Sequence, residues 1–495
     1  MLTKLIVLGI YFAILFVIGL VASRRIKSMS DYYVGGKKLG YWAVAFSARA
    51  TGESGWLLLG LTGMGALAGV SAYWVVVGEV LGVAISWFFM AKPFKRLTDK
   101  YGSITVPDFL ESHFQTKGHL MRIIAALALT IFVIIYVSSQ IDITGKAFES
   151  FLGVNYYTGA LAGFLIVLFY IFSGGFVAVV WSDFFQGLMM FFGLVLLPVV
   201  AWFFLTHQAD IFQELGRIDP HLTQPLGVSD DPWMNLATML GFAFIGLGFL
   251  GSPQVYVRFI GIKSEKAINQ GRWVAVIYTF ITDAAAVTIG LLGRYLFTTA
   301  GQDAEAILGN GGEEVLPMLL NHAFPLVVVA IYVAIILSAI MSTIDSLLVV
   351  ASSAITRDLY QQVFRPDIKD ENLNKVSRLV TVGMALLALA LALTVALVTP
   401  GRTVFWFSIF GWSGVAATFC PMIIYALFWK NYTEGAAIAT MIAGFISVPL
   451  FKFWVAEWPV VGPYFEAADV MGPSFAVAFI VGFIANQFTR PKAVG

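Results

Sequence analysis

The stretch Phe46-Ser-Ala-Arg-Ala-Thr-Gly-Glu-Ser-Gly-Trp56 places polar and charged residues in the middle of an otherwise apolar segment, residues 41–69. Glycine and serine weaken a helix, and this stretch holds two of each. Within a membrane, unwound backbone is tolerated only where it lines a cavity, and the freed carbonyl groups there bind cations. Because Glu53 is embedded in the stretch, we interpret it as a broken membrane helix and not as close helix packing through small residues.

The composition of the chain is that of a helical membrane protein. Of its 495 residues, 59% are hydrophobic and 12% are charged, whereas soluble domains carry about 25% charged residues. The 30 basic and 29 acidic residues nearly cancel, which argues against a nucleic-acid-binding protein. The one cysteine, Cys420, allows no internal disulfide and no cysteine metal cluster. No constellation of nucleophile, base and metal is visible, so we do not expect an enzyme.

Thirteen segments of the chain approach the ~20 apolar residues that cross a membrane. They are residues 4–23, 41–69, 72–92, 121–148, 157–177, 180–205, 233–256, 273–297, 325–353, 376–399, 403–428, 435–455 and 468–489. Arg24 and Arg25 follow the first segment instead of preceding it, so we interpret it as a retained helix and not as a signal peptide. The predicted fold is an all-α integral membrane protein with a single domain, residues 1–495.

The loops between the predicted spans alternate in charge. Basic residues cluster in segments 24–38, 92–122, 257–272 and 354–378, whereas segments 206–232 and 298–324 are acidic or neutral. Because basic loops face the cytoplasm, thirteen spans with the N-terminus outside and the C-terminus in the cytoplasm satisfy every loop. A single chain without internal disulfides suits a bacterial inner membrane, which is the expected location.

A second polar stretch, Leu337-Ser-Ala-Ile-Met-Ser-Thr-Ile-Asp-Ser346, lies in the ninth span. Its polar side chains recur on one helical face at Ser338, Ser342, Asp345 and Ser346, and Ser352 and Ser353 continue that face. Hydroxyl and carboxylate groups are hard oxygen ligands, which suit sodium and not soft metals. Isolated serines in membrane helices usually bond their own backbone, but four polar groups on one face predict a cation site.

Several charged residues lie within or near the spans, where one charge costs about 2.5–3.5 kcal/mol on insertion scales. They are Arg49, Glu53, Glu79, Asp142, Lys146, Asp183, Asp283, Arg294 and Asp345. Charges in such places line a cavity or meet a partner. Arg49 and Glu53 stand four residues apart, so on a helix they can pair, and we predict a charge pair or a proton site there.

Both polar stretches resemble those of the sodium/solute symporter family, which includes the sodium/proline and sodium/glucose transporters. The likeness runs from about residue 4 to about residue 430. It is closest to the sodium/proline branch, through Ser54-Gly-Trp-Leu-Leu-Leu-Gly-Leu and Met341-Ser-Thr. Four further blocks carry the resemblance: Asp31–Gly40, Phe172–Gln186, Gly248–Gln254 and Ala351–Tyr360.

The resemblance implies a LeuT-like fold of two inverted five-helix repeats with a discontinuous helix. The repeats would cover approximately residues 41–205 and 233–428, with extra helices at 4–23, 435–455 and 468–489. Inverted repeats with broken helices give alternating access to a site near the middle of the membrane. Members of the family couple the entry of a solute to sodium running down its gradient.

Carried over position by position, the family's main sodium site falls on both polar stretches. Its ligands would be the carbonyl groups of Ala50, Glu53 and Ala339 and the hydroxyl groups of Ser342 and Thr343. A second cation site, seen in some members, matches Asp183, Ser342, Asp345 and Ser346. Asp345 stands where relatives often have serine, so two carboxylates there would strengthen cation binding, or one of them would be protonated. The expected cofactors are one or two sodium ions and no organic cofactor.

The implied solute cavity departs from that of the proline transporters. It comprises Ser54, Gly55, Trp56, Tyr136, Ser139, Gln140, Ile245 and Phe249. Trp56 and Tyr136 match the proline branch, whereas Ile245 and Phe249 replace a tryptophan and a tyrosine, and Gly52 replaces an aspartate. These departures put proline itself in question, and we expect an amino acid or a related small zwitterion.

The leading hypothesis is sodium-coupled import of this solute by alternating access, carried out by a monomer in the lipid bilayer without nucleic-acid partners. One alternative is a proton, carried by Glu53 or Asp345, in place of sodium. Another is a cationic solute such as choline or a diamine, held by aromatic residues beside Glu53 and Glu79. Arg49 argues against that solute unless it is already paired to Glu53. A membrane solute sensor is the alternative from a different class, and an ion channel lacks a filter loop.

Overall fold

The computed structural model describes residues 2–24, 29–116, 118–171, 176–205, 210–368 and 370–489. Within these ranges the regular structure is helical, apart from an isolated bridge between Leu39 and Ile262. The first four residues of the block Phe172–Gln186 lie outside the described residues, as does Arg25. The prediction of an all-α fold is confirmed.

The main helices are labelled α1 to α16 in chain order. They are α1 (Leu2–Ser23), α2 (Tyr41–Trp56), α3 (Thr62–Ala68), α4 (Tyr73–Ile85), α5 (Ala91–Lys100), α6 (Leu120–Leu152), α7 (Tyr156–Ile171), α8 (Phe176–Leu205), α9 (Pro232–Phe244), α10 (Pro253–Gly261), α11 (Glu265–Phe297), α12 (Leu326–Ser353), α13 (Asp370–Val398), α14 (Val404–Phe428), α15 (Glu434–Phe453) and α16 (Met471–Thr489). Shorter helices occupy the connections, at Met29–Val34, Val106–Phe114, Ile211–Ile218, Ala304–Leu308, Val315–Ala323 and Gly462–Ala467.

Among the described residues, 11 helical stretches are long and apolar enough to cross a membrane. One of them, Tyr41–Lys100, is 60 residues long and contains two of the thirteen predicted spans. Another predicted span falls on Tyr156–Leu168, which is a shorter apolar helix. Every predicted span coincides largely with a helix, and the count of thirteen crossings stays a prediction.

The long stretch Tyr41–Lys100 is a hairpin, because its contacts along α11 reverse direction. Contacts of α2 advance along α11 from Tyr278 to Thr282. Contacts of α4 and of the helical segment that follows it run in the opposite direction along α11, from Thr288 to Trp273. Gly69 lies between the two parts with φ +63°, a left-handed conformation that glycine adopts readily. The two predicted spans in this stretch therefore run in opposite directions.

The central helices of the fold are α12 and α14. In the most apolar part of each, 83% of the residues are buried, against 33% in α8 and α13. Large apolar side chains on the outer helices stay exposed, for example Phe204 and Leu379, which are each 73% exposed. A helix that is apolar all round suits either the protein interior or lipid. The second polar stretch, on α12, therefore lies in the interior and not at the lipid-facing surface.

Two membrane helices are interrupted near the centre of the protein. In α2, Ser54 has φ +47° and ψ −173°, which breaks the helix directly after Glu53. The second interruption separates a 3₁₀ segment, Ile245–Leu250, from α10, which begins at Pro253. The predicted discontinuous helix is present. Both interruptions fall in the first span of a predicted repeat, although the inverted relation between the repeats stays a prediction.

Candidate ion and solute site

The break in α2 faces the hydroxyl groups of α12. A helix that ends at Glu53 leaves the carbonyl groups of its last four residues without partners in the helix. Ser342 Oγ lies 3.1 Å from the Ala50 carbonyl oxygen, and Thr343 Oγ1 lies 3.3 Å from the Thr51 carbonyl oxygen. The two hydroxyl groups therefore reach carbonyl groups that the break has released.

The same hydroxyl groups also lie 3.1 and 3.0 Å from the Ala339 carbonyl oxygen. Four of the five residues predicted for the main sodium site thus share one cluster of oxygen atoms, and all four are fully buried: Ala50, Ala339, Ser342 and Thr343. Carbonyl and hydroxyl oxygens are hard donors, so this set fits a sodium ion. Glu53 directly precedes the break, but its side chain turns away to Arg49.

An arginine side chain lies in the predicted second cation site. Arg258, on α10, is fully buried. Its Nη2 atom lies within hydrogen-bond distance of three oxygen atoms: Asp183 Oδ2 at 2.8 Å, Ser346 Oγ at 2.6 Å and Thr51 Oγ1 at 2.5 Å. Its Nε atom donates to Ser47 Oγ at 2.8 Å, and Nη1 donates to a backbone carbonyl group. A charged group of the chain itself therefore supplies the cation at this position.

The expectation that Arg258 belongs to a cytoplasmic loop is wrong. Segment 257–272 was assigned to a loop on its basic residues, but α10 continues to Gly261 and carries Arg258 into the protein. Its flanks in Val255-Tyr-Val-Arg-Phe-Ile260 are apolar and aromatic, which was the available signal. Of the residues predicted for this site, Asp183 and Ser346 contact each other, and Asp345 is buried beside them. Ser342 instead bonds the Ala50 carbonyl group of the predicted main sodium site.

The predicted pair of Arg49 and Glu53 forms, and two more acids join it. Arg49 Nη2 lies 3.0 Å from Glu53 Oε1, 3.0 Å from Glu79 Oε2 and 3.8 Å from Asp283 Oδ1. Thr282 donates its hydroxyl to Glu53 Oε1 at 2.7 Å. The four charged side chains are at most 1% exposed. The sequence singled out Glu79 and Asp283 as intramembrane acids, and packing of α11 against both α2 and α4 brings them to Arg49.

The polar residues predicted for the solute cavity lie next to the break in α2. The Gly55 N–H group donates to Gln140 Oε1 at 3.0 Å, and Gln140 Nε2 lies 3.3 Å from Ser139 Oγ. Ser408, on α14, donates to Ser139 Oγ at 3.2 Å. All eight predicted residues are buried: Ser54, Gly55, Trp56, Tyr136, Ser139, Gln140, Ile245 and Phe249. A backbone donor at the break is thus held by a side-chain amide.

Sequence reasoning missed Trp412, an aromatic residue of α14 in this region. Its ring centroid lies 5.1 Å from that of Phe249 and 6.2 Å from that of Tyr136. Its Nε1 atom donates to the Ile245 carbonyl group at 3.0 Å. An indole from α14 therefore packs where the sequence lacks the seventh-span tryptophan of the proline branch. Its surroundings, Gly411-Trp-Ser-Gly414, were the signal in an otherwise apolar span.

Aromatic residues close the site toward one end of the protein. Trp56 packs on Phe405 with ring centroids 5.6 Å apart, and Phe405 packs on Phe242 at 6.1 Å. Phe242 borders a cavity of about 280 Å³ beyond these rings, near the end of α3. A cavity of about 830 Å³ lies at the start of α2, and its lining includes Ala43, one helical turn before Ser47. The central residues are closed off from both cavities.

The chain matches a family model and curated relatives over almost its whole length. The model of the sodium:solute symporter family matches residues 32–444. The high-affinity proline transporter PutP of Bacillus subtilis is 34% identical over 480 residues, which cover 96% of this chain and 95% of that protein. The sodium/proline symporter of Staphylococcus aureus is 31% identical over 499 residues, covering 98% and 92%. These relatives are transporters and not enzymes.

Solved structures support the same fold. A Na+-coupled sialic acid symporter in a substrate-bound outward-open state superposes with a TM-score of 0.79 at 20% identity, covering 99% of this chain and 98% of that chain. MhsT in complex with L-phenylalanine superposes with a TM-score of 0.54 at 14% identity, covering 90% and 98%. The LeuT-like fold class is therefore confirmed. With the family model spanning most of the sequence and relatives above 30% identity at nearly full length, this chain belongs to the sodium:solute symporter family.

Proposed function

We propose that this protein imports an amino acid or a related small zwitterion together with sodium, by alternating access. The names of the relatives, proline transporters and a sodium/proline symporter, support this class of solute. The observation that carries the proposal is the cluster of Ser342 and Thr343 hydroxyl groups against the carbonyl groups released by the break in α2. Sodium moving down its gradient would supply the free energy for solute accumulation.

The main cluster would hold a single sodium ion. Its ligands would be the carbonyl groups of Ala50, Glu53 and Ala339 and the hydroxyl groups of Ser342 and Thr343. A second ion is not part of the proposal, because the guanidinium of Arg258 already contacts Asp183 and Ser346. One sodium ion per solute is therefore the proposed stoichiometry.

The solute would lie beside the break in α2. In the closed structure the Gly55 N–H group is occupied by Gln140. A solute carboxylate would take the place of the Gln140 oxygen on this donor, and Gln140 would then be free to donate its own amide hydrogens. Trp56, Tyr136 and Phe249 would cover the apolar body of the solute.

The closed structure suits an occluded state of the transport cycle. Trp56, Phe405 and Phe242 separate the site from one cavity, and the Arg258 network stands between the site and the other. We assign the cavity near the start of α2 to the cytoplasmic side, because its rim carries Lys38 and Lys263. With that orientation and thirteen crossings the N-terminus would be outside and the C-terminus cytoplasmic. We further propose that the protein works as a monomer in a bacterial inner membrane.

The test of this proposal is uptake of labelled amino acids into liposomes that contain the purified protein. Uptake should show a transient accumulation above equilibrium only with an inward sodium gradient. Ser342→Ala and Thr343→Ala should abolish that accumulation, because each removes one hydroxyl ligand. Uptake driven equally well by a proton gradient without sodium would contradict the proposal.

Two hydroxyl groups on the same helix provide matched controls. Ser352 and Ser353 bond the carbonyl groups of Val349 and Val350 in their own helix, at 3.2 and 2.7 Å. Ser352→Ala and Ser353→Ala therefore should leave sodium-driven uptake close to wild type. Equal losses from both pairs of variants would mean that hydroxyl groups of α12 act through helix stability and not through sodium.

A further inference from the structure

A charged cluster beside the helix break takes no part in the proposed sodium site. It consists of Arg49 and Glu53 on α2, Glu79 on α4 and Asp283 on α11. A single nitrogen atom, Arg49 Nη2, is the contact of all three carboxyl groups, at 3.0, 3.0 and 3.8 Å. The cluster therefore has three acidic groups around one basic group, all of them buried.

The hydrogen bonds within this cluster are incomplete. Glu53 Oε2 and Asp283 Oδ2 accept no hydrogen bond from an N–H or hydroxyl donor of the described residues. Arg49 Nε and Nη1 donate to no acceptor in the same part of the chain. A buried polar atom without a partner costs about 1–3 kcal/mol. Several such atoms in one buried cluster indicate a site that a further group completes.

The sign of the uncompensated charge decides which group that is. Glu79 and Asp283 are hydrogen-bonded to each other, which requires one shared proton, so two negative charges surround one guanidinium and one negative charge is left uncompensated. An anion would increase the imbalance, and a neutral ligand would leave it unchanged. A ligand with a positively charged group reduces it, and the Coulomb attraction is strong because the surroundings exclude water.

The cluster adjoins the predicted solute residues through Phe249. Arg49 Cζ lies 4.8 Å from the centroid of the Phe249 ring, which also packs against Trp412 at 5.1 Å. A Cβ atom at Gly52 would lie 2.7 Å from the Phe249 ring, so only glycine lets the ring rest against α2. One aromatic ring thus separates the acidic cluster from the aromatic part of the solute site. Movement of this ring would join the two.

We propose that the transported solute carries a positively charged side chain, and that Glu53, Glu79 and Asp283 hold it. The solute class is a cationic amino acid, whose ammonium or guanidinium group meets the carboxylates while Phe249 and Trp412 cover its alkyl stem. In the solute-free state Arg49 is the resident counter-ion. This inference rests on the proposed function, because it names the solute of the same site.

Arg49 does not repel such a solute from the cluster. Its charge is already paired with Glu53 and Glu79 at 3.0 Å each. Asp283 is the carboxyl group that Arg49 engages least, at 3.8 Å, and Thr282 Oγ1, which donates to Glu53, lies 3.4 Å from Asp283 Oδ1. The cationic end of the solute therefore should contact Asp283 first. Asp283 and Glu79 become residues that determine specificity.

The test compares labelled L-lysine with labelled L-proline in liposomes under an inward sodium gradient. L-lysine should accumulate, and L-proline uptake should be lower by about tenfold or more, the ratio that a difference of ~1.4 kcal/mol gives. Unlabelled L-lysine should also raise the unfolding temperature of the detergent-solubilised protein in sodium, which measures binding without transport. Sodium-driven uptake of L-proline with no competition from L-lysine would overturn the inference but not the proposed function. No sodium-driven uptake of either solute would also overturn the inference, whereas the proposed function is overturned only if no labelled amino acid accumulates under a sodium gradient.

Variants at Asp283 separate recognition of the charge from folding. Asp283→Asn should lower L-lysine uptake by about tenfold or more, because it removes a buried charge partner of the solute. It should also abolish the shift in unfolding temperature, whereas Asp283→Glu, which keeps the charge, should retain part of both effects. Glu265→Gln is the matched control, since Glu265 lies on the same helix, is 39% exposed and pairs with Arg96. A folded Asp283→Asn protein that binds and transports L-lysine as the wild type does would overturn the inference.

Discussion

Two buried arginines contact opposite parts of the central site, and their surroundings differ. Arg258 forms one ion pair, with Asp183, and none of its nitrogen atoms lacks a hydrogen-bond partner. Arg49 faces three carboxyl groups through one nitrogen atom, while its Nε and Nη1 atoms donate to no described acceptor. The two side chains are equally buried, at 0% and 1% exposure.

The difference teaches how to tell a structural cation from an incomplete site. A buried guanidinium is satisfied when it is paired and each of its nitrogen atoms donates, as at Arg258, although Asp183 Oδ1 and both carboxyl oxygens of Asp345 beside it accept no bond from the described residues. A buried cluster with surplus charge and free polar atoms depends on something that binds to it, as at Arg49. The buried fraction of an arginine side chain therefore does not show its role, whereas the number of its ion-pair and hydrogen-bond partners does.

The largest effect is expected from Arg258→Met. Because the substitution leaves the Asp183 carboxylate buried without its partner, it should lower the free energy of unfolding by about 3–5 kcal/mol. Thermal unfolding in detergent at low sodium measures the effect. The double variant Arg258→Met/Asp183→Asn is the control and should recover most of the loss. A single variant as stable as the wild type would remove the distinction between the two arginines.

The next effect concerns the number of bound sodium ions. In Arg258→Met, Asp183 and Ser346 no longer contact a guanidinium and become available as oxygen ligands. Equilibrium binding of radioactive sodium should therefore rise from one ion per protein to two, and sodium should restore part of the lost stability. Two ions bound to the wild-type protein would show that Arg258 does not replace the second ion.

A smaller effect is expected from Gly52→Ala, which alters the contact between α2 and the Phe249 ring. This ring lies between the Arg49 cluster and the predicted solute residues. The new Cβ atom would lie 2.7 Å from the Phe249 ring, so the ring must shift. Overpacking of this kind costs about 1–3 kcal/mol, and we expect it as weaker apparent solute affinity in uptake assays, with sodium binding unchanged. Gly383→Ala is the control, because a Cβ atom at Gly383 has no neighbour within 4 Å. Similar losses of apparent solute affinity in both variants would exclude a specific role for the position of the Phe249 ring.

The smallest effect is expected on stability from Asp283→Asn in the absence of solute. Its nearest basic group is 3.8 Å away and the cluster already has surplus negative charge, so the free energy of unfolding should change by about 1 kcal/mol or less. Asp183→Asn, measured in parallel by thermal unfolding, should be clearly more destabilising. The reverse order would mean that the Arg49 cluster, and not the Arg258 network, holds the helices together.

Local features of the site were predictable from the sequence because they depend on neighbouring residues. Glycine and serine beside Glu53 indicated the break that the structure places at Ser54. The spacing of Arg49 and Glu53 indicated their contact, because residues four apart meet on a helix. The ligand set of the main cluster came from the resemblance to a family, and the structure brings four of its five residues together without testing the ion itself.

Contacts between distant segments were not predictable in the same way. Charge patterning assigned Arg258 to a loop, since basic residues usually mark loops, but packing of α10 against α2, α5 and α12 places it inside. The indole of Trp412 enters the site from α14, 163 residues after Phe249 in the chain. No local sequence pattern indicates which face of a helix packs against which neighbouring helix.

By itself, the sequence determined that this chain is a helical membrane protein with a broken helix at residues 46–56, because apolar length and helix-weakening residues act locally. The tertiary structure decided which acids the two arginines meet. Asp183 is 75 residues from Arg258, and Glu79 is 30 residues from Arg49. In a low-dielectric interior a charge takes whichever partner packing brings within reach, so the roles of the buried charges follow from the arrangement of the helices.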